Sequence, residues 1–410
     1  MLNDFHFTHN YIIIEYGKAL YEHYFTWEGS AMYGLALGGG GARGAYEAGV
    51  LKALEELNIE VGAITGTSIG AINAAGYLSA GISTVEEVWR LMDKDSIIDV
   101  NAESLIDSLK NGGFDYEKPF SLLRKYLDES SIRNNPIDFG IVTVNLTDRD
   151  PIVVFKDDIP EGKIIEYVLA SANHPVLKRF EIDGDKYMDG GIYDNVPIEP
   201  LIRKGYRDII VVDLYNRKRF IKPISTVAII DISSKEGLGS ALVADPANIE
   251  KNMRLGYLDT QKAFGTLFGY RYYFRNTDVT GLLSLPTAAE IRRFENLSAP
   301  LLAERVFEPY KEGLGHRYSI TLASLEVVSE ILEISNLDIY EHPFDLLQVV
   351  LVKLDDIAND IRKAHWKKRI LLRELNDRQI LMLSLSNPKL VVGNLFIKVI
   401  NERRRDLSTW

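Results

Sequence analysis

The chain has 410 residues, 46% of them hydrophobic and 26% charged, which predicts two or three domains and excludes collagen-like and wholly disordered chains. It contains no cysteine, so disulfide scaffolds, thiolate metal sites and a cysteine nucleophile are excluded. The net charge of -11 argues against a general nucleic-acid binder, but the charge is uneven: residues 361–410 hold 12 Lys/Arg against 4 Asp/Glu, and the other 360 hold 35 against 54.

No apolar run reaches the ~20 residues of a spanning helix. The start, Met1-Leu2-Asn3-Asp4, lacks the basic and apolar regions of a signal peptide. The expectation is a soluble cytoplasmic protein. Residues 1–31 are rich in aromatics (Phe5, Phe7, Tyr11, Tyr16) without a motif and read as an N-terminal extension.

Tyr33–Leu37 predicts a short apolar strand, followed by four glycines, Gly38 to Gly41. In Arg43–Leu57, Tyr46, Val50, Leu54 and Leu57 recur at three- and four-residue steps, which predicts a helix. Val61–Thr65 reads as a second strand and Ile69–Ala80 as a helix of small residues. This alternation is that of a mostly parallel sheet with helices on both faces. Further strands are expected at Asp138–Leu146, Ile152–Phe155, Ile209–Leu214, Val227–Ile232 and Tyr270–Phe274. Helices are expected around Ile164–Ala172 and Ile249–Phe264.

From about residue 282, helical periods replace strand signals, over 287–312, 317–335, 343–364 and 367–383, with breaks near Gly313, Asn336 and Pro388. The expected division is therefore an extension (1–31), an α/β domain (32–281) and a helical C-terminal region (282–410).

The sharpest chemical feature is Gly66-Thr67-Ser68-Ile69-Gly70, placed between a strand and a helix. A nucleophilic serine has to project from a tight turn, and glycines two residues before and after remove side chains that would obstruct it. The helix N-terminus behind it favours developing negative charge. The plainer reading is a turn whose serine only caps the helix.

The second feature is Gly38-Gly39-Gly40-Gly41-Ala42-Arg43-Gly44. Consecutive glycines expose backbone N–H groups that can hold a phosphate or an oxyanion. Gly39-x-Gly41-x-x-Gly44 also spells the dinucleotide fingerprint, but that needs an acidic residue at the end of the second strand. Glu60 stands at the beginning of that strand instead, so the fingerprint fails.

The third feature is Asp189-Gly190-Gly191. A serine nucleophile needs a base. Six of the seven histidines lie in the extension or the helical region, and His174 has no motif of its own, so it reads as a loop residue or a neighbour of the site. An aspartate in a glycine-flanked loop, able to approach the serine directly, is the better base. Asp93-Lys94-Asp95, Asp157-Asp158 and Asp355-Asp356 lack metal-ligand spacing and read as surface or capping residues.

Gly39-Gly40-Gly41-Ala42-Arg43-Gly44, Gly66-Thr67-Ser68-Ile69-Gly70 and Asp189-Gly190-Gly191 together, in this order and spacing, resemble the motifs of the patatin-like phospholipases over about residues 33–215. The resemblance implies a three-layer α/β/α domain with a mostly parallel central sheet, followed here by the helical region. It implies a Ser–Asp dyad hydrolase of fatty-acyl esters that uses no metal or other cofactor. Ser68 is then the nucleophile and Asp189 the base. The N–H groups of Gly39, Gly40 and Gly41 form the oxyanion hole, Arg43 holds that loop, and Gly44, Gly66, Gly70, Gly190 and Gly191 support the turns. The implied partner is a lipid substrate and no nucleic acid. A soluble esterase or thioesterase and an inactive lipid-binding regulator are the alternative readings. The basic segment 361–410, with Trp366, Ile370 and Leu371 beside Lys367, Lys368 and Arg369, suits peripheral contact with anionic lipid at the inner membrane surface, or else is a solvated helix face.

Overall fold

The computed structural model describes residues 32–92, 117–215, 227–275, 306–311 and 319–407. The expected helix over 287–312 and the N-terminal extension lie wholly or mostly outside these residues. The described chain forms two compact units, divided between Ala263 and Phe264.

In the first unit, strands β1 (Tyr33–Leu37) and β2 (Val61–Thr67) pair in parallel, with helix α1 (Ala45–Glu56) between them in sequence. Helix α2 (Ile69–Leu91) follows β2 directly. It is two helices run together: the first ends at Ala80, as read from the sequence, and Gly81, with φ 77° and ψ 172°, separates it from the second. Helices α3 (Glu117–Tyr126) and α4 (Glu129–Asn134) lead into β3 (Asp138–Asn145), which is parallel to β2 and antiparallel to β4 (Asp150–Phe155). After α5 (Ile164–Ser171) comes a hairpin of β5 (Phe180–Ile182) and β6 (Asp185–Asp189), then α6 (Glu199–Arg203), β7 (Asp208–Val212), β8 (Ala228–Ile232) and α7 (Pro246–Ala263). The strand order is β5-β6-β3-β2-β1-β7-β8, with β4 on β3, and the β8-β7-β1-β2-β3 part is parallel throughout.

The central strands are buried on both faces, so they read as continuous apolar runs rather than as alternation. Ala36, Ala63, Ile209 and Val211 pack with Ile198 and Leu201 on one face. Leu35, Leu37, Ile210 and Val212 point to the other face, by the two-residue period, and are also fully or almost fully buried.

The hairpin β5–β6 was not among the expected strands. Its turn is Asp183-Gly184, with φ of 53° and 93°, and Ile182 pairs with Asp185 across it. Two positive φ values in a two-residue loop are the hairpin geometry that Asp-Gly favours.

Among its described residues, the second unit is helical apart from a two-residue pairing of β9 (Tyr273–Phe274) with β10 (Ile339–Tyr340) and a bridge between Phe268 and Phe274. Helix α8 (Ile320–Ile331) is buried on nearly every side, Thr321 through Ser329 included. Helices α9 (Pro343–Asn359), α10 (Trp366–Leu371), α11 (Asp377–Ser386) and α12 (Pro388–Leu407) follow. The single helix expected over 367–383 is thus two helices. Asn376 accepts a hydrogen bond from the Gln379 N–H and forms a capping box that starts the second. The break expected near Pro388 separates this helix from the next: Pro388 opens the last described helix, where its missing N–H costs no hydrogen bond.

Candidate active site

Strand β3 acts as a ruler that brings two distant residues together. Thr67, the last residue of β2, pairs with Val142, and Asp189, the last residue of β6, pairs with the adjacent Thr143. Because β4 occupies the opposite edge over Gly140 to Asn145, β6 continues the edge where β2 ends. The residue after Thr67 therefore meets Asp189. That residue is Ser68, whose Oγ donates to Asp189 Oδ2 at 2.6 Å across 121 positions of sequence.

Ser68 has φ 55° and ψ -122°, outside the ordinary regions for an L-residue. Strain of this kind persists where the surroundings over-determine it, and here they do. The Ser68 N–H donates to Ser171 Oγ at 2.9 Å, and Ser171 Oγ donates to the Val142 carbonyl at 2.6 Å. On the other side, a Cβ on Gly70 would fall 2.4 Å from the Leu37 carbonyl oxygen, so only glycine lets α2 start this close to β1.

Asp189 is 6% exposed. Its Oδ1 accepts the Gly191 N–H at 2.7 Å, which leaves Oδ2 aimed at Ser68. Burial pushes the carboxyl above its ordinary pKa, against the opposing effects of the Ser68 and Gly191 hydrogen bonds and of the His174 charge. A raised pKa makes the carboxylate a better acceptor for the serine proton. A Cβ at Gly190 would meet the Val142 carbonyl oxygen at 2.2 Å, so Asp-Gly-Gly is here a close approach to β3 and not a surface turn.

The glycine loop lies against the serine: a Cβ on Gly39 would be 3.2 Å from Ser68 Cβ and 2.6 Å from Asn195 Oδ1. Asn195 clamps this loop from both directions. Its carbonyl accepts the Gly39 N–H at 2.9 Å and its Nδ2 donates to the Gly39 carbonyl at 3.2 Å. The Gly39 N–H is therefore already committed, contrary to the expectation that it points into an oxyanion hole. Among the described residues, the N–H groups of Gly40 and Gly41 donate no hydrogen bond. Gly41 has φ 56° and stands where a side chain would strike the Ala241 carbonyl. Arg43 ties the loop down: its Nε donates to the Gly239 carbonyl at 2.8 Å and its guanidinium lies 4.5 Å from the Tyr215 ring centre. Gly44 follows at the end of the 3-10 turn that leads into α1, and Gly66 lies in β2, two residues before Ser68.

Ser171 and Asn195 had no assigned role in the sequence, although both stand in segments that the motifs flank. The signal for Asn195 was its place six residues after Asp189; Ser171 carries none. His174 is exposed, next to Asn173, whose carbonyl accepts the Asp189 N–H at 3.0 Å. The Asp189 carboxyl's hydrogen-bond partners are Ser68 and the Gly191 N–H, and His174 is not among them. Among the described residues, no group of three or more His, Asp or Glu side chains is placed to hold a metal ion.

The stretch that carries the glycine loop, the strained serine and the buried aspartate, residues 35–202, matches the family model described as Patatin-like phospholipase. The match covers about two fifths of the chain. Similar proteins include Lysophospholipase NTE1 of Cryptococcus neoformans, 31% identical over 194 residues, which cover 44% of this chain and 11% of that protein. An uncharacterized NTE family protein of Mycobacterium bovis is 30% identical over 177 residues, covering 41% of this chain and 44% of that one. The chain thus matches about a tenth of the fungal proteins' length and less than half of the mycobacterial one. Among solved structures, VipD from Legionella pneumophila aligns over 90% of both chains at 16% identity with a TM-score of 0.36. The patatin-like match ends inside α6, so β7, β8, α7 and the whole second unit lie outside it.

Proposed function

We propose that this chain is a serine acyl hydrolase that cleaves fatty-acyl ester bonds of phospholipids or lysophospholipids. The observation that carries the reading is the 2.6 Å contact between Ser68 Oγ and Asp189 Oδ2 inside the patatin-like domain. Asp189 takes the Ser68 proton as Oγ attacks the ester carbonyl. The carbonyl oxygen becomes an oxyanion, held by the N–H groups of Gly40 and Gly41 and by the positive end of α2. Collapse expels the alcohol, which takes the proton from Asp189. Water then gives a proton to Asp189 and attacks the acyl-serine, releasing the fatty acid and restoring Ser68. No metal or cofactor enters these steps.

Peripheral contact with an anionic lipid surface through residues 361–410 belongs to the same proposal. The segment is net positive. On α11, Leu381, Met382 and Leu385 are 53%, 63% and 68% exposed, with Arg378 exposed one turn before them. Exposed apolar side chains beside cations suit a helix lying in a headgroup layer. Among the described residues, no helix is long and apolar enough to cross a membrane.

The test is labelling of wild type, Ser68→Ala and Asp189→Asn with a fluorophosphonate probe, with fatty-acid release from phospholipid and lysophospholipid vesicles measured alongside. Labelling and release in wild type alone are expected. Labelling without release from either lipid would move the substrate to small esters. A folded wild type that neither labels nor hydrolyses would overturn the reading and favour a lipid-binding role.

A further inference from the structure

Behind the glycine loop, the first turn of α1 carries an acidic residue with no place in the chemistry above. Glu47 is fully buried, at 0% exposure. Its Oε2 accepts from Asn73 Nδ2 at 2.7 Å, and the same Asn73 nitrogen donates to the Gly44 carbonyl at 2.9 Å. Asn73 Oδ1 in turn accepts from Trp89 Nε1 at 2.9 Å, which fixes the amide's orientation. Gly38 and Gly44 are the two ends of the glycine loop, and Asn73 sits one turn into the helix that starts at the serine.

We propose that Glu47 and Asn73 form a buried strap that positions the oxyanion loop against Ser68. Asn73 holds the loop's exit at Gly44, Glu47 and Trp89 hold the Asn73 amide in place, and together they lock that end of the loop to the helix that carries the serine. This role deepens the hydrolase reading and rests on it. A side chain of ordinary packing value would not be a glutamate here. Burying a carboxyl is costly, and Glu47 Oε1 is buried without a partner that meets hydrogen-bond geometry. Burial pushes the Glu47 carboxyl well above the usual carboxylate range, which favours the neutral acid. A neutral glutamine can therefore replace it: the glutamine oxygen accepts from Asn73 as Oε2 does now.

The test compares wild type, Glu47→Ala, Glu47→Gln and Asn73→Ser on a soluble p-nitrophenyl ester, with kcat and KM resolved and hydrogen exchange followed over residues 38–44. Misplacing a catalytic group by about 1 Å can cost on the order of 100-fold. Glu47→Ala and Asn73→Ser should lose about 10- to 100-fold in kcat with KM within about twofold of wild type, and exchange in the loop should quicken. Glu47→Gln should recover most of both losses. Wild-type kcat in a folded Glu47→Ala protein, or no recovery in a folded Glu47→Gln protein, would overturn the strap. If Glu47→Ala does not fold, Asn73→Ser and Glu47→Gln decide the matter by the same two readouts. An inactive wild type would instead sink the hydrolase reading, and the exchange arm would still report on the strap.

Discussion

Ser68 and Asp189 each sit in a state that folding alone would not choose. The positive φ of Ser68 costs on the order of 1–3 kcal/mol. Ser68→Gly should therefore be more stable to urea than Ser68→Ala by roughly 1 kcal/mol, although neither can react. Asp189 carries a pKa above its ordinary value, and two consequences follow from its sign. In the proposed mechanism the carboxylate is the active form, so the acid limb of the rate profile should fall at a higher pH than an ordinary aspartate would give. For stability, the native state binds this proton more tightly than the unfolded state, so the stabilising contribution is full below the ordinary aspartate pKa and is lost as pH rises through the raised one. Asp189→Asn should abolish hydrolysis yet unfold no lower than wild type at pH 8, where removing a buried charge is most favourable. In that variant the amide oxygen can keep the Gly191 N–H while the amide nitrogen donates to Ser68 Oγ, which leaves the serine proton with no acceptor. Thermal melts at pH 5 and pH 8 would check this, and a variant less stable than wild type at pH 8 would count against a charged, buried Asp189.

At the scale of elements, the hairpin β5–β6 delivers Asp189, the base of the proposed mechanism, and its turn should be felt at the site. Gly184 has φ 93°, and no neighbour lies within 4 Å of the position of an added Cβ, so a side chain there meets no clash and only conformational cost. Gly184→Ala should destabilise by about 1–2 kcal/mol, read as a lower urea midpoint, and should lower kcat more than KM by loosening β6. Strands of three and five residues give little periodicity, so this hairpin is not legible as strands in the sequence, although Asp183-Gly184 is a local sign of it. By contrast, β1, α1, β2 and the start of α2 were legible, since doubly buried strands and a three- and four-residue helical period leave marks that do not depend on partners. The two C-terminal helices taken as one at 367–383 show the reverse case, where a capping box outweighs a continuous apolar pattern.

Across the whole molecule, the patatin-like match covers residues 35–202, and the second unit lies beyond it. The second unit has its own core, built around Leu325, Val328, Leu347 and Val350 with Phe396 and Ile397 from α12. The apolar residues exposed on α11 are therefore not needed to fill that core. Replacing Leu381, Met382 and Leu385 together by serine should weaken co-sedimentation with phosphatidylglycerol vesicles without changing hydrolysis of a soluble ester. Raising the salt from 0.05 to 0.5 M should weaken binding of the wild type as well, because the attraction of surface cations is screened. Co-sedimentation of the triple variant equal to that of wild type would remove α11 from the contact.

By itself the sequence determined the alternation of strands and helices, the serine turn, the glycine loop and the aspartate, because each is a local pattern whose chemistry needs those residue types at that spacing. Only the tertiary structure decided which of them meet and how. The register of β2 and β6 on neighbouring residues of β3 sets Ser68 against Asp189. The Asn195 carbonyl takes the Gly39 N–H out of reach, and the burial of Asp189 and Glu47 raises their pKa values. These are contacts between residues far apart in the chain, and hydrogen bonding and desolvation depend on what surrounds a group in space, which a linear pattern does not specify.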